Sequence, residues 1–267
     1  MGSVRQPAVA DMFYPGDPDQ LRGMVRGYLQ ASDADGTVSD EDAPKGLIVP
    51  HAGYVYSGPV AGTAYARLYS HGERIRRVVL LGPAHRVPVR GLALPEATEF
   101  ASPLGMIAVD REATAELLAL PQVRVDGVAH GLEHSLEVQL PFLQEVLSGE
   151  FSLVPLVVGE AAPEEVAEVL ELLWGGEETL IVISSDLSHY HDYEVARRVD
   201  RETSRSIEEL ESDKLRLDRA CGCIPIQGLL LVARRRGLRV MNVDLRNSGD
   251  TSRTRDKVVG YGSYVVV

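Results

Sequence analysis

A chain of 267 residues with 45% hydrophobic and 25% charged content has the make-up of an ordinary globular protein, and its length suits one large α/β core better than two small ones. A formal net charge of −12 excludes the basic footprint that a nucleic acid or an anionic membrane surface requires. No apolar run is long enough to span a bilayer and no basic-plus-apolar leader opens the chain. The two cysteines, Cys221 and Cys223, stand too close to bridge readily, so both are expected as reduced thiols in a cytoplasmic protein.

In chain order, DADGTVSDEDAPKG (33–46) is an acidic loop that leads into the strand GLIVP (46–50). A helix rich in small residues, GPVAGTAYARLYS (58–70), precedes the strands RRVVLLG (76–82), GLALP (91–95) and GMIAVD (105–110). REATAELLAL (111–120) is a good helix former. HSLEVQLPFLQEVL (134–147) spaces Leu136, Leu140, Leu143 and Leu147 along one helical face, with a kink expected at Pro141. The strand FSLVPLVVG (151–159) is followed by APEEVAEVLELLW (162–174), a helix opened by an early proline and acids.

TLIVISS (179–185) is the next strand and YEVARRVDRETSRSIEEL (193–210) the next helix. PIQGLLLVARRRG (225–237) ends at a glycine cap, with Arg234, Arg235 and Arg236 as its C-terminal charges. The strands LRVMNVD (238–244) and GYGSYVVV (260–267) flank a polar excursion, NSGDTSRTRDKVVG (247–260). Near-continuous Val, Ile and Leu runs are typical of strands covered on both faces. The expected fold class is therefore α/β, a central, mostly parallel or mixed sheet with helices on both faces, forming one domain over 1–267.

Three of the seven histidines follow apolar strands: His51 after GLIVP, His85 within GPAH and His189 within SSDLSH. Ligand crevices in open α/β sheets form at the carboxyl ends of the strands. Three imidazoles delivered to one edge outweigh the plainer reading of each as a loop histidine bonded to a nearby carbonyl. Asp186 and His189 stand three residues apart. If a helical turn begins after Ser185 they face the same way, and the acid would orient the imidazole; the plainer reading is a helix cap.

Glu133 and His134, in GLEHSLE, open the Leu-striped helix as candidate supporting groups. DRACGCIPI (218–226) sets Cys221 and Cys223 just before an apolar helix. A thiolate there has a lowered pKa and serves as a soft ligand or nucleophile, although free cysteines also pack as small hydrophobes. GxGxxG after the first strand, GxxxxGK[ST], HExxH and GxSxG are absent, which removes motif support for nucleotide binding, zinc proteolysis and serine hydrolysis.

Taken in order, RQPAVADMFYP (5–15), IVPHAGYVYSG (48–58), LLGPAHRVP (80–88), EHSLEVQLPFL (133–143), VISSDLSHY (182–190), ACGCIPI (220–226) and NSGD (247–250) resemble the Memo family (mediator of cell motility homologues). Its prokaryotic members are also called AmmeMemoRadiSam system protein B. The resemblance spans nearly the whole chain. It implies a fold similar to the class III, non-haem extradiol dioxygenases, which hold Fe(II) with two histidines and a glutamate and leave positions open for a catechol and O₂.

Carried over residue by residue, the metal histidines match His51 and His85, and a cysteine matching Cys221 replaces the glutamate. His189 matches the acid–base histidine and Asp186 an acid at the metal pocket. Tyr54, Glu133, His134 and Cys223 are placed as pocket or supporting residues. The implied cofactor is iron or copper, with zinc possible. Eukaryotic members are reported to bind phosphotyrosine peptides, so the implied partner is a small-molecule or peptide ligand. Two positions depart from the family: its aromatic pair, often Trp-Tyr, is Phe13-Tyr14, and Cys223 stands where some members have Arg.

These residues support three readings. The first is a metal-dependent redox enzyme of the dioxygenase type, since a set with one thiolate favours iron, copper or zinc over magnesium. The second is a non-catalytic protein that uses the same pocket for a peptide or small ligand. The third is zinc-dependent hydrolysis. The sequence sets no oligomeric state.

Overall fold

The uninterrupted Val, Ile and Leu runs become the parallel centre of a sheet, because strands buried on both faces need apolar residues at every position. The computed structural model describes residues 2–32, 43–147, 149–251 and 254–267; most of the acidic loop expected over 33–46 lies outside them. In chain order the elements are β1 (Val4–Arg5), α1 (Pro18–Ser32), β2 (Gly46–Val49), α2 (Tyr54–Tyr65), β3 (Arg77–Pro83), β4 (Leu92–Leu94), β5 (Glu99–Ser102) and β6 (Gly105–Val109). They continue with α3 (Arg111–Leu117), β7 (Val123–Val125), α4 (Gly127–Gly131), α5 (Leu140–Val146), β8 (Ser152–Val158), α6 (Pro163–Leu172) and β9 (Thr179–Ser184). The last are β10 (His189–His191), α7 (Tyr193–Glu208), α8 (Cys223–Arg236), β11 (Val240–Asn247), α9 (Ser248–Thr251) and β12 (Val258–Val266).

The sheet has twelve strands among the described residues. It runs β1-β5-β6-β8-β3-β9-β2-β12-β10, with β11 beside β12, and β4 beside β7 and β8. From β6 to β2 every neighbouring pair is parallel, and β12 closes antiparallel on β2. Alternate strand residues enter two apolar clusters. Leu47, Leu80 and Val182 join residues of α1, α2 and α5 on one face. Ile48, Leu81 and Ile183 join residues of α6 and α8 on the other. The expected α/β class, with helices on both faces, is the observed one. Among the described residues no helix is long and apolar enough to cross a membrane.

Two local expectations change. Residues Glu137–Gln139 form a 3₁₀ turn and α5 starts only at Leu140. Pro141 therefore sits in the first helical turn, where its missing N–H has no intrahelical partner to lose; it starts the helix and does not kink it. The polar excursion after Asn247 contains the short α9 before β12 begins.

A buried ion pair pins the N-terminal segment. Glu137 is fully buried and accepts hydrogen bonds from the Arg5 guanidinium, the backbone N–H groups of Ala8 and Val9, and the Tyr14 hydroxyl. Arg5 also donates to the carbonyls of His130 and Glu133. Residues 5–14 are thereby fixed against the turn that carries Glu133 and His134.

His130 of α4 gives this region a pH signature. Its Nε2 donates to the Ala93 carbonyl at 2.8 Å, and burial pushes its pKa down from 6.5 to about 4. The unfolded chain takes up this proton below about pH 6.5 and the folded chain only near pH 4, so the stability it contributes is complete above 6.5 and lost as pH falls toward 4. Relative to His130→Gln, the wild-type unfolding free energy is expected to fall by about 3 kcal/mol between pH 7 and pH 4. Denaturant titrations at the two pH values measure this; an unchanged difference would refute it.

Candidate metal centre

β3, β9 and β2 lie side by side, and the chain leaving their carboxyl ends carries the site. His51 stands two residues past β2, His85 two past β3, and Asp186 two past β9, whose last residue is Ser184. Cys221 comes from the segment that leads into α8. A β-carbon on Gly222 would lie 2.6 Å from Ser185 Cβ and 2.7 Å from the Ser184 carbonyl oxygen. Only glycine lets that segment press so closely on the end of β9, and the Gly222 N–H donates to Ser185 Oγ at 2.9 Å.

The hydrogen bonds assign both histidine tautomers. Ser184 Oγ gives its proton to the Ser135 carbonyl and accepts from Gln139 Nε2. Gln139 is itself oriented by Tyr65 and the Pro50 carbonyl. Ser184 can therefore only accept from His51 Nδ1, 2.8 Å away, which leaves the His51 Nε2 lone pair free. His85 Nδ1 meets Glu133 Oε1 at 2.9 Å. Burial would raise the Glu133 pKa, but hydrogen bonds from the His85 side chain and from the His85 and Ser135 backbone hold it down to about 2. It is thus a carboxylate that only accepts, and the His85 Nε2 lone pair is also free.

The ligand atoms of His51, His85 and Cys221 all lie within 4.8 Å of one another, with Cys221 Sγ 3.3 Å from His51 Nε2. His51 is buried, Cys221 half-buried and His85 exposed at the mouth. Burial drives the His51 pKa well below 6.5, reinforced by neighbouring His85 and His134, so the ring stays neutral and ligand-competent. Burial pushes the Cys221 thiol up to about 12, with the Asp186 charge adding to it. This reverses the lowered value expected at a helix N-terminus, because Cys221 precedes the helix and lies in a desolvated pocket beside an acid. Two imidazole lone pairs and a thiol that a cation would deprotonate fit a soft or borderline metal ion.

Asp186 and His189 do not form the expected pair. Residues 185–188 are extended loop, not a helical turn. Asp186 Oδ1 accepts from the His51 N–H at 2.8 Å, and the carboxyl also holds the Ala52 N–H. Its role is to brace the loop that carries His51. Burial raises its pKa to about 6. His189 is oriented by a backbone carbonyl, with its Nδ1 2.8 Å from Leu187 O, although it lies near enough for its charge to act on His51 and Asp186.

Among the supporting candidates, His134 stacks on His85 with ring centroids 4.8 Å apart and meets His51 edge-on. Phe13 also packs against it, tilted, with ring centroids 4.9 Å apart. Tyr54 is buried in an aromatic group with Tyr14 and Phe142, its hydroxyl donating to the Val138 carbonyl. Cys223 lies away from the cluster. It is 1% exposed and packs in the apolar core, because it opens α8 on the face that covers the sheet, whereas Cys221 lies in the turn before the helix.

His85, Glu133 and His134 form a second group of possible ligands. Glu133 already accepts from His85 N, His85 Nδ1, His134 N and Ser135 N, so its oxygens are committed to shaping the loop. This group supports the first one. Ser184 and Gln139, which set the His51 tautomer, were not singled out from sequence. The available signal was the polar Gln139 inside a leucine stripe.

Fold and site together define an α/β protein with two imidazoles and a thiol gathered at the carboxyl ends of adjacent parallel strands. The profile of the Memo-like protein family matches residues 5–265, and the chain belongs to that family. A MEMO1 family protein of Aquifex aeolicus is 36% identical, covering 97% of each chain. Another from Thermoplasma volcanium is 33% identical over 98% of each. A solved structure, uncharacterized protein JW3007 from Escherichia coli K12, shares the fold at a TM-score of 0.53 and 14% identity, covering 82% of this chain and 98% of its own.

Proposed function

We propose that the protein holds one iron or copper ion through His51 Nε2, His85 Nε2 and Cys221 Sγ, and carries out redox chemistry on a small-molecule or peptide ligand. The supporting observation is the convergence of these three donors within 4.8 Å of one another while both Nδ1 atoms are engaged by Ser184 and Glu133. Bound iron or copper would supply one-electron chemistry at the positions the three donors leave open, whereas zinc would only polarise a ligand or water.

The protein's own part is positional and acid–base. Asp186 fixes the His51 backbone, and the burial of His51 keeps bulk water from one side of the cluster. His189, with its Nδ1 proton on Leu187 O, presents Nε2 as the nitrogen that takes up or returns a proton.

The test is elemental analysis after anaerobic purification, followed by O₂ uptake with a reductant. Near-stoichiometric iron or copper is expected in the wild type and little in His51→Ala, His85→Ala or Cys221→Ala. Equal metal in the triple variant would sink the proposal. Occupancy by zinc alone, with no redox response, would favour hydrolysis instead.

A further inference from the structure

We infer that the cleft between residues 11–24 and the start of α2 binds an organic cation, an ammonium or guanidinium group carried on an apolar body. The cleft encloses about 410 Å³, within the range of roughly 300–1,000 Å³ typical of small-molecule sites. Its walls include Met12, Phe13, Met24, Val55 and Tyr56. Met12 is 70% exposed, Val55 59% and Tyr56 43%, so three large apolar side chains face water in one concavity, as at a ligand site and unlike scattered surface hydrophobes. Tyr14 and Tyr54 form the buried floor, and their hydroxyls are used by Glu137 and the Val138 carbonyl. The floor therefore offers rings and no free polar atom.

The charge in the cleft has one sign. Asp11 and Asp17 line it, and among the described residues no Lys, Arg or His does. Asp11 Oδ1 accepts from the Gly16 N–H, and Asp17 Oδ1 from those of Asp19 and Gln20. One oxygen of each carboxylate is left for a donor on a ligand. Aromatic faces and methionine sulfur favour a cation and an apolar body in the same place, whereas an anion would meet two carboxylates.

None of the three metal-ligand candidates lines the cleft; its wall reaches toward them through Gly53, two residues past His51, and through Phe13, whose ring packs against His134. The inference therefore stands independently of the proposed metal.

Calorimetric titration of the full chain with 2-phenylethylammonium, 2-phenylethanol and phenylacetate tests it, since the three share one apolar body. The ammonium is expected to bind at one site about tenfold more tightly than the alcohol, with no saturable binding of the acid. Asp11→Asn combined with Asp17→Asn should abolish that preference and leave alcohol binding unchanged; asparagine tolerates the positive φ of 62° at position 11. Cys221→Ala should bind the ammonium as the wild type does, which separates this cleft from the metal cluster. Equal binding of alcohol and ammonium, preference for the acid, no saturation by the ammonium, or loss of binding in Cys221→Ala would each overturn the inference.

Discussion

Glu137→Ala is expected to lower the unfolding free energy by about 3–5 kcal/mol, a cost characteristic of removing one partner of a buried ion pair. Glu137 and Arg5 are 0% and 7% exposed, so deleting the carboxylate strands a guanidinium without water or counter-charge. The loss extends further. The N–H groups of Ala8 and Val9 and the Tyr14 hydroxyl also lose their acceptor, and each unmade buried bond is unfavourable in its own right. Arg5→Met combined with Glu137→Leu should recover only the charge component, because those three donors stay unsatisfied. Urea unfolding of the metal-free proteins measures both. A loss below about 1 kcal/mol in Glu137→Ala would show that the segment relaxes to let water reach Arg5.

The layered fold was legible because burial on both faces leaves an uninterrupted trace: TLIVISS and RRVVLLG are β9 and β3 almost residue for residue. The strands β1, β5, β7 and β10 left none. They are two to four residues long and exist through pairing with distant partners, such as Val4 opposite Glu99. Helix α1 left a weaker trace although Leu21, Val25 and Leu29 recur every fourth residue and are fully buried; its two glycines, Gly23 and Gly27, dilute the pattern.

At the site, strand-end position identified His51 and His85. Spacing misled at Asp186, whose carboxyl turns to a backbone 135 residues away. A three-residue interval carries meaning only on a helix, and here the chain is extended. Local spacing likewise grouped Cys223 with Cys221, where the helix start separates them.

Under the proposed metal assignment, Glu133→Gln is expected to weaken metal binding by about 10–100-fold, as loss of a carboxylate behind a metal-binding histidine typically does. The carboxylate fixes His85 from two directions, accepting from its Nδ1 at 2.9 Å and its backbone N–H at 2.6 Å. A glutamine can keep one of these acceptors but must turn an NH₂ toward the other donor. If it keeps the oxygen that accepts from His85 Nδ1, His134 N and Ser135 N, its amide opposes the His85 N–H and shifts the loop. If it flips, His85 Nδ1 loses its acceptor and the ring is free to rotate Nε2 out of the cluster.

Either outcome removes the negative charge that raises the basicity of His85 as a ligand. Ser184→Ala acts through the other ring, freeing His51 to exchange tautomers, and should give a smaller loss because no charge is removed. Competition with a chromophoric chelator gives the affinities, and thermal unfolding of the metal-free proteins separates ligand orientation from general damage. Unchanged affinity in a folded Glu133→Gln would mean that packing between His134 and His51 orients His85 without the carboxylate.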